Sequence, residues 1–398
     1  METDSLTFPL LKSAQAWEET KGDVERQQLI AAASKLISDL ENPAEKLARI
    51  GWGEPSRTAA LQAAFELGLL QKLSEEPKTS SDLAEGTGAD PLLVGRILKH
   101  LVAYYFIKET GADQYAATPF TYATSDPTIR GGLIYSFDGM IPTFHHLSSF
   151  LAKTNYKVPS DNSNGPVQHA LKTDKPFFAI LQEDARLGSA FNDFMTGYGK
   201  ARPSWVDYYP VQERLVAGSS QDTPLLVDVG GGLGRDISHF NATFPDAAGN
   251  LILQDTSSVV TQAHSSTPPL ASAITAIAHD FFTPQPASAH HARTYYLHLV
   301  LHDWDDASSC KILSHIRDAM KPGYSKLLIN ENMLEDVGAP WQQTSLDWTM
   351  MAMLVNRERT KSQWSALFES VGLKIAGVWS KDVNSESIIE VVLADDQV

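Results

Sequence analysis

The 398-residue chain contains one cysteine, Cys310, so neither an internal disulfide nor a cluster of thiolate metal ligands can form, and so few thiols fit a reducing compartment. No apolar run approaches the ~18 residues of a membrane span. The acidic opening, Met1 to Ser5, is not followed by the basic and apolar regions of a secretory signal. These absences read as a cytosolic chain with no membrane partner. Positive charge is also scarce: 32 Lys and Arg stand against 48 Asp and Glu, a formal net charge of -16. That field repels polyanions at long range, and no local basic patch offsets it, so nucleic acid is a poor partner. What is present, 43% hydrophobic and 20% charged residues, is an ordinary globular composition, long enough for two domains.

Two rhythms divide the chain. Residues 1–55 carry apolar residues at helical spacing (Leu29, Ile30, Ala33, Leu36, Ile37, Leu40) and read as a helical arm. From Thr58 to Ile107 the spacing predicts a helix, a short helix opened by Ser80-Ser81-Asp82, a turn at Gly86 to Gly88 and a longer helix from Asp90-Pro91. Two short strands around Gly111-Ala112-Asp113 follow, which completes a winged helix. A winged helix invites a DNA-binding reading, but acids outnumber bases between Gly53 and Asp113, so a packing or dimerisation role is favoured. The first domain is placed at 1–120.

Residues 121–398 read as a helical connector and an α/β domain with its core at 205–398. Short apolar runs at 225–229, 251–254, 274–278, 295–301 and 326–330 alternate with helical stretches, the pattern of a parallel sheet covered on both faces. Two further runs, 374–379 and 387–393, have no helix between them and predict a terminal antiparallel hairpin.

Asp228, Gly230, Gly232 and Gly234 fit a DxGxGxG loop directly after a buried strand. Glycines let the backbone approach a ligand, and amides at a helix start favour negative groups. A dinucleotide fingerprint would need a third glycine at position 235, which is Arg235, so that reading fails. The spacing, with Gly231 inside it, is instead that of class I methyltransferases, where the loop passes beneath the amino-acid part of S-adenosylmethionine. Asp255 ends the next strand, where a carboxylate can accept both ribose hydroxyls. Asp280 and Phe281 end the one after, where they can meet the adenine amino group and face. Three successive strand ends thus point to one crevice, the place where open parallel sheets bind ligands.

His302 follows the fourth strand on the same side. Imidazole has the pKa to take a proton from a phenol-like hydroxyl near neutrality, and the resulting oxygen nucleophile can attack a sulfonium methyl. The pairs His145-His146 and His290-His291 do not make a metal site, because neighbouring histidines point apart and no carboxylate cluster stands at ligand spacing, so no metal is expected.

Val227 to Gly234, Leu301 to Trp304 and Glu358-Arg359-Thr360, in this order, resemble the plant caffeate-type O-methyltransferases and their fungal secondary-metabolite relatives over roughly residues 55 to 395. The resemblance implies a Rossmann-like class I methyltransferase sheet with a C-terminal antiparallel hairpin, preceded by a winged-helix dimerisation domain that forms a homodimer. It implies His302 as general base, flanked by Glu331 and Glu358. It places His298 at the cofactor where the family has lysine, Phe191 and Met195 near cofactor and acceptor, and Met350, Met351 and Met353 along the acceptor pocket. His279 replaces a family glycine, and the shortened loop Asn356-Arg357-Glu358-Arg359 favours the fungal branch. Two other readings stand beside methyl transfer: an S-adenosylmethionine-binding enzyme that steers a dehydration or pericyclic rearrangement without losing the methyl, and a winged-helix regulator.

Overall fold

The structure is a computed structural model that describes residues 6–265, 269–382 and 385–396. The first five residues of the expected arm lie outside the described residues. The chain divides into two compact units, Met1–Leu133 and Ile134–Val398, the division falling inside the helix Pro127–Tyr135.

In the first unit the arm is three helices, Phe8–Thr20, Asp23–Leu40 and Pro43–Ala48, none of which buries a residue. The winged-helix elements follow. Thr79, one residue ahead of the expected cap, forms a reciprocal capping box with Asp82 and opens the helix Ser80–Ala84. Asp90 caps the amphipathic helix Pro91–Ala103, which buries Val94, Ile97, Leu98 and Leu101. The strands Lys108–Gly111 and Gln114–Ala116 pair antiparallel around Asp113. Among the described residues no helix is long and apolar enough to cross a membrane.

The second unit is built on a seven-stranded sheet. Its strands in chain order are β1 (Leu226–Val229), β2 (Leu251–Asp255), β3 (Ile274–Ala278), β4 (Thr294–His298), β5 (Lys326–Glu331), β6 (Leu373–Ser380) and β7 (Ser387–Leu393). They lie side by side as β6-β7-β5-β4-β1-β2-β3. β1 to β5 run parallel, and β7 runs antiparallel to both β5 and β6, the expected hairpin. One apolar cluster, including Val227, Tyr295, Leu327, Ile329 and Trp364, packs one face; another, including Trp205, Phe240, Leu253 and Tyr296, packs the other. The strand order reverses at β1, so β1 and β4 splay their connections to opposite sides and leave a crevice at their carboxyl ends.

The predicted strand 295–301 is shortened. β4 ends at His298, because Leu299 adopts a left-handed φ of 51°, which a strand ladder cannot continue, and Leu301–Asp303 forms a single tight turn. His302 therefore rides on a turn beyond the strand and not on the strand itself.

Candidate active site

The glycine loop leaves β1 with Gly230 at φ 73°, Gly232 at 58° and Gly234 at 79°, a left-handed series that side chains with a Cβ resist. The amides of Gly230 and Gly231 donate to the carbonyl of Gln254 at 2.8 and 3.2 Å, which ties the loop to β2. Gly231 is required for a different reason. A Cβ there would stand 2.4 Å from Cγ of Asp228, whose buried carboxylate lies directly beneath the loop. Burial, reinforced by Asp236, pushes the Asp228 carboxyl well above the usual range. The amide of Gly232 donates to Asp255 Oδ2 at 2.9 Å, and Asp255 Oδ1 accepts from Thr256 at 2.7 Å. A Cβ built on Gly232 meets nothing within 4 Å, whereas one on Gly230 comes within 3.1 Å of Val300 and 3.7 Å of the Phe281 ring. The loop is thus packed on one side and open on the other, which fits a ligand drawn close to its backbone.

Phe281 stands edge-on to Trp304 at 5.9 Å between ring centres. Exposed Asp280 accepts from the amide of Phe282 at 3.0 Å and keeps acceptor capacity for a ligand. His298 is placed differently from the other candidate cofactor residues. Its Nδ1 lies 2.5 Å from Asp236 Oδ2 and its Nε2 lies 2.9 Å from Glu386 Oε2, so both ring nitrogens are engaged by protein carboxylates.

Around His302 two buried acids converge. Nδ1 is 3.1 Å from Glu358 Oε1 and 3.8 Å from Glu331 Oε2. Burial alone would depress this imidazole, but Glu331 and Glu358 outweigh it and push its pKa up to about 9. Glu331 has a second task. Its Oε1 accepts from the amides of Val300 at 3.0 Å and Leu301 at 2.8 Å, holding the turn from which His302 projects. Glu358 is fixed in turn by its own amide, which donates to Asp347 Oδ1 at 2.9 Å.

The carbonyl side of the same turn is held by Arg359, which sequence reasoning passed over although it sits inside the quoted motif. It is 1% exposed and donates to Leu301 O at 2.8 Å, Trp304 O at 2.7 Å and Asp306 Oδ1 at 3.0 Å. Asn356 adds a bond to Asp303 O at 2.8 Å. The only available signal was chemical: a charged residue beside Glu358 in a chain otherwise poor in cations.

Of the five candidate acceptor residues, Met351 is half-buried on the same helical turn as Met350 and Met353, and the other four lie in two settings. Met350 and Met353 are buried, Met353 in an apolar cluster with Tyr135, Phe177 and Leu187. Phe191 is half-buried, 5.3 Å from the Tyr135 ring, and lines a cleft of about 540 Å³ with Phe178 and Leu181. Met195, on the same helix, is 39% exposed. A second cleft of about 420 Å³ runs beside the His302 turn, lined by Val158, Pro159, Asp303, Trp304 and Asn356.

The O-methyltransferase domain model matches residues 211–374, and the O-methyltransferase dimerisation domain model matches residues 56–123. The chain is 35% identical to the O-methyltransferase mfmE of Annulohypoxylon moriforme, over 93% of this chain and 91% of that one. It is 34% identical to the demethylsterigmatocystin 6-O-methyltransferase of Aspergillus parasiticus, over 93% and 94%. Among solved structures it is similar to a pericyclic reaction enzyme, at 27% identity and a TM-score of 0.81, with 96% of this chain and 97% of that chain covered. Relatives above 30% identity along nearly their whole length, on a sheet whose glycine loop and histidine turn share one crevice, make this chain a member of the S-adenosylmethionine-dependent O-methyltransferases.

Proposed function

We propose that the enzyme methylates a hydroxyl of an aromatic or polyketide-type small molecule in secondary-metabolite biosynthesis, with His302 as general base. The observation that carries this reading is the division of labour on one imidazole. Nδ1 faces Glu358 and Glu331, while the carboxylate of Asp303 comes no nearer than 3.7 Å to Nε2, leaving that nitrogen for the acceptor. S-adenosylmethionine, when bound, supplies a methyl group made electrophilic by its sulfonium centre. Asp228, Gly230, Gly231 and Gly232 hold its amino-acid end, Asp255 its ribose, and Asp280 and Phe281 its adenine. Nε2 takes the proton of the acceptor hydroxyl, and the two glutamates stabilise the imidazolium that results. Phe191, Met195, Met350 and Met353 offer aromatic and thioether surface to a flat acceptor ring.

The test is single-turnover methylation by His302→Ala at saturating cofactor. The expected loss is about 10²- to 10⁴-fold; undiminished transfer to the native acceptor overturns the role. Similarity to a pericyclic reaction enzyme keeps a second reading open, in which the methyl is retained. Product mass separates them: a product heavier by one methyl supports transfer, and an isomer of the starting mass supports rearrangement.

The N-terminal domain, residues 1–120, would pair two chains into a homodimer and leave residues 121–398 to catalysis. Supporting this, the arm exposes Leu11, Ile37, Leu40, Leu47, Ile50 and Trp52, apolar surface of the kind that marks an association site. Light scattering that finds only monomer at micromolar concentration overturns it.

A further inference from the structure

The carboxylate at the amino-acid end of S-adenosylmethionine has to be accommodated near Asp228, Asp236, Glu386, Glu331 and Glu358, and an anion among carboxylates needs a cation. His298, at the end of β4, has both nitrogens engaged by Asp236 and Glu386 and retains no donor for a ligand. Arg202 does. It follows the helix Ala185–Ala201, its side chain is 16% exposed, and it pairs with Glu386 and with the Tyr198 hydroxyl, its guanidinium carbon 3.8 Å from the centre of the Tyr198 ring.

Two anchors locate this guanidinium. On one side lies the start of the helix that follows the glycine loop: Glu386 reaches Asp236 through His298, and Arg235 donates to Gly199 O at 2.6 Å, three residues before Arg202. On the other side the guanidinium lies over the Tyr198 ring. A cofactor whose amino-acid end rests on the glycine loop brings its carboxylate to the start of the helix to which Arg202 is tied through Glu386, His298 and Asp236. A guanidinium presents a planar fork of donors, more than Glu386 and Tyr198 consume, and its geometry matches a carboxylate.

We propose that Arg202 is the counter-ion of the cofactor's carboxylate, taking the part that His298 cannot play, and that Asp236, His298 and Glu386 are positioning residues that fix Arg202 against the glycine loop. This rests on the S-adenosylmethionine reading above.

The experiment is isothermal titration of the full chain with two ligands. One is S-adenosylhomocysteine; the other is S-adenosyl-3-thiopropylamine, the same molecule without its carboxylate. Arg202→Gln is expected to weaken the first by about 10- to 100-fold, the size of a charge-assisted pair, while binding the second within about twofold of the unsubstituted enzyme. Equal loss for both ligands, or no loss for either, overturns the proposal. Arg202→Lys keeps the charge without the fork and is expected to lose several-fold for S-adenosylhomocysteine alone. If Arg202→Gln does not fold, the lysine variant decides by the same difference between ligands. Failure of the unsubstituted enzyme to bind either ligand would instead overturn the cofactor reading on which this rests.

Discussion

The guanidinium of Arg359 donates to the carbonyl of Leu301 at 2.8 Å, so the residue after one candidate catalytic glutamate grips the residue before the candidate base. Together with Glu331, which takes the amides of Val300 and Leu301, it clamps the His302 turn with a cation on its carbonyls and an anion on its amides. Removing a buried charge that serves several partners leaves those partners unpaired. Arg359→Met is therefore expected to lower unfolding free energy by about 3 kcal/mol and to reduce kcat more than it changes the cofactor's binding constant. Urea denaturation and steady-state kinetics check this, and a variant with unchanged stability refutes the clamp.

The raised pKa of His302 makes stability depend on pH. Its folded value of about 9 exceeds the ordinary ~6.5 of an unfolded histidine. The folded state thus binds the proton more tightly, and the stability this contributes is complete below about pH 6.5 and is lost as pH rises through about 9. His302→Asn should remove that dependence, so the difference in unfolding free energy between the two proteins should shrink from pH 6.5 to 9. A difference that grows over this window has the wrong sign.

For the proposed base the rate is expected to run the other way, because an imidazole must be neutral to accept a proton. The acidic limb of kcat/KM, which reports the free enzyme, is expected to rise toward pH 9. Glu358→Gln removes one of the two carboxylates that hold the imidazole up and should move that limb to lower pH. A limb that does not move assigns the titration to another group.

Gly231→Ala tests the floor of the loop. Its Cβ would stand 2.4 Å from the buried Asp228 carboxylate, so either the loop lifts or the acid is displaced. The expected cost is roughly 1–3 kcal/mol of stability, typical of overpacking, with weaker S-adenosylhomocysteine binding by titration. Asp228→Ala in the same chain makes room and should restore part of the melting temperature; no recovery means that the clash is not the cause.

Ligand atoms of His302, Glu331 and Glu358 lie within 4.8 Å of one another, a spacing that could hold a divalent cation. The proposed base mechanism expects methyl transfer to keep its full rate after exhaustive dialysis against a chelator. Activity lost to the chelator and restored by zinc or magnesium would replace the base mechanism with a metal-assisted one.

The sheet was legible because parallel strands buried on both faces read as continuous apolar runs, and the hairpin was legible because no helix fits between β6 and β7. The end of β4 was not, since Tyr295 to Leu301 is uniformly apolar apart from His298 and the break comes from a left-handed Leu299 that residue type disfavours. At the site, Asp228, Asp255 and His302 announce themselves as polar residues at the ends of apolar runs. Glu331 and Glu358 came into view only through family resemblance, because a lone Glu in a sequence carries no mark of full burial. Arg359 and Arg202 stayed hidden for a related reason: their partners are backbone carbonyls and acids distant in sequence, and no local pattern encodes such pairings.

The place of β7 carries a consequence for biosynthesis. This last strand is inserted between β5 and β6 and bonds to both, so five parallel strands can assemble while β5 still presents an unpaired edge. Until β7 joins the sheet that apolar edge stays open, and Glu386, at the threshold of β7, has not reached His298 or Arg202. A chain stopped short of Ser387 is therefore expected to expose the β5 edge and to bind chaperones, a defect of folding rather than of rate.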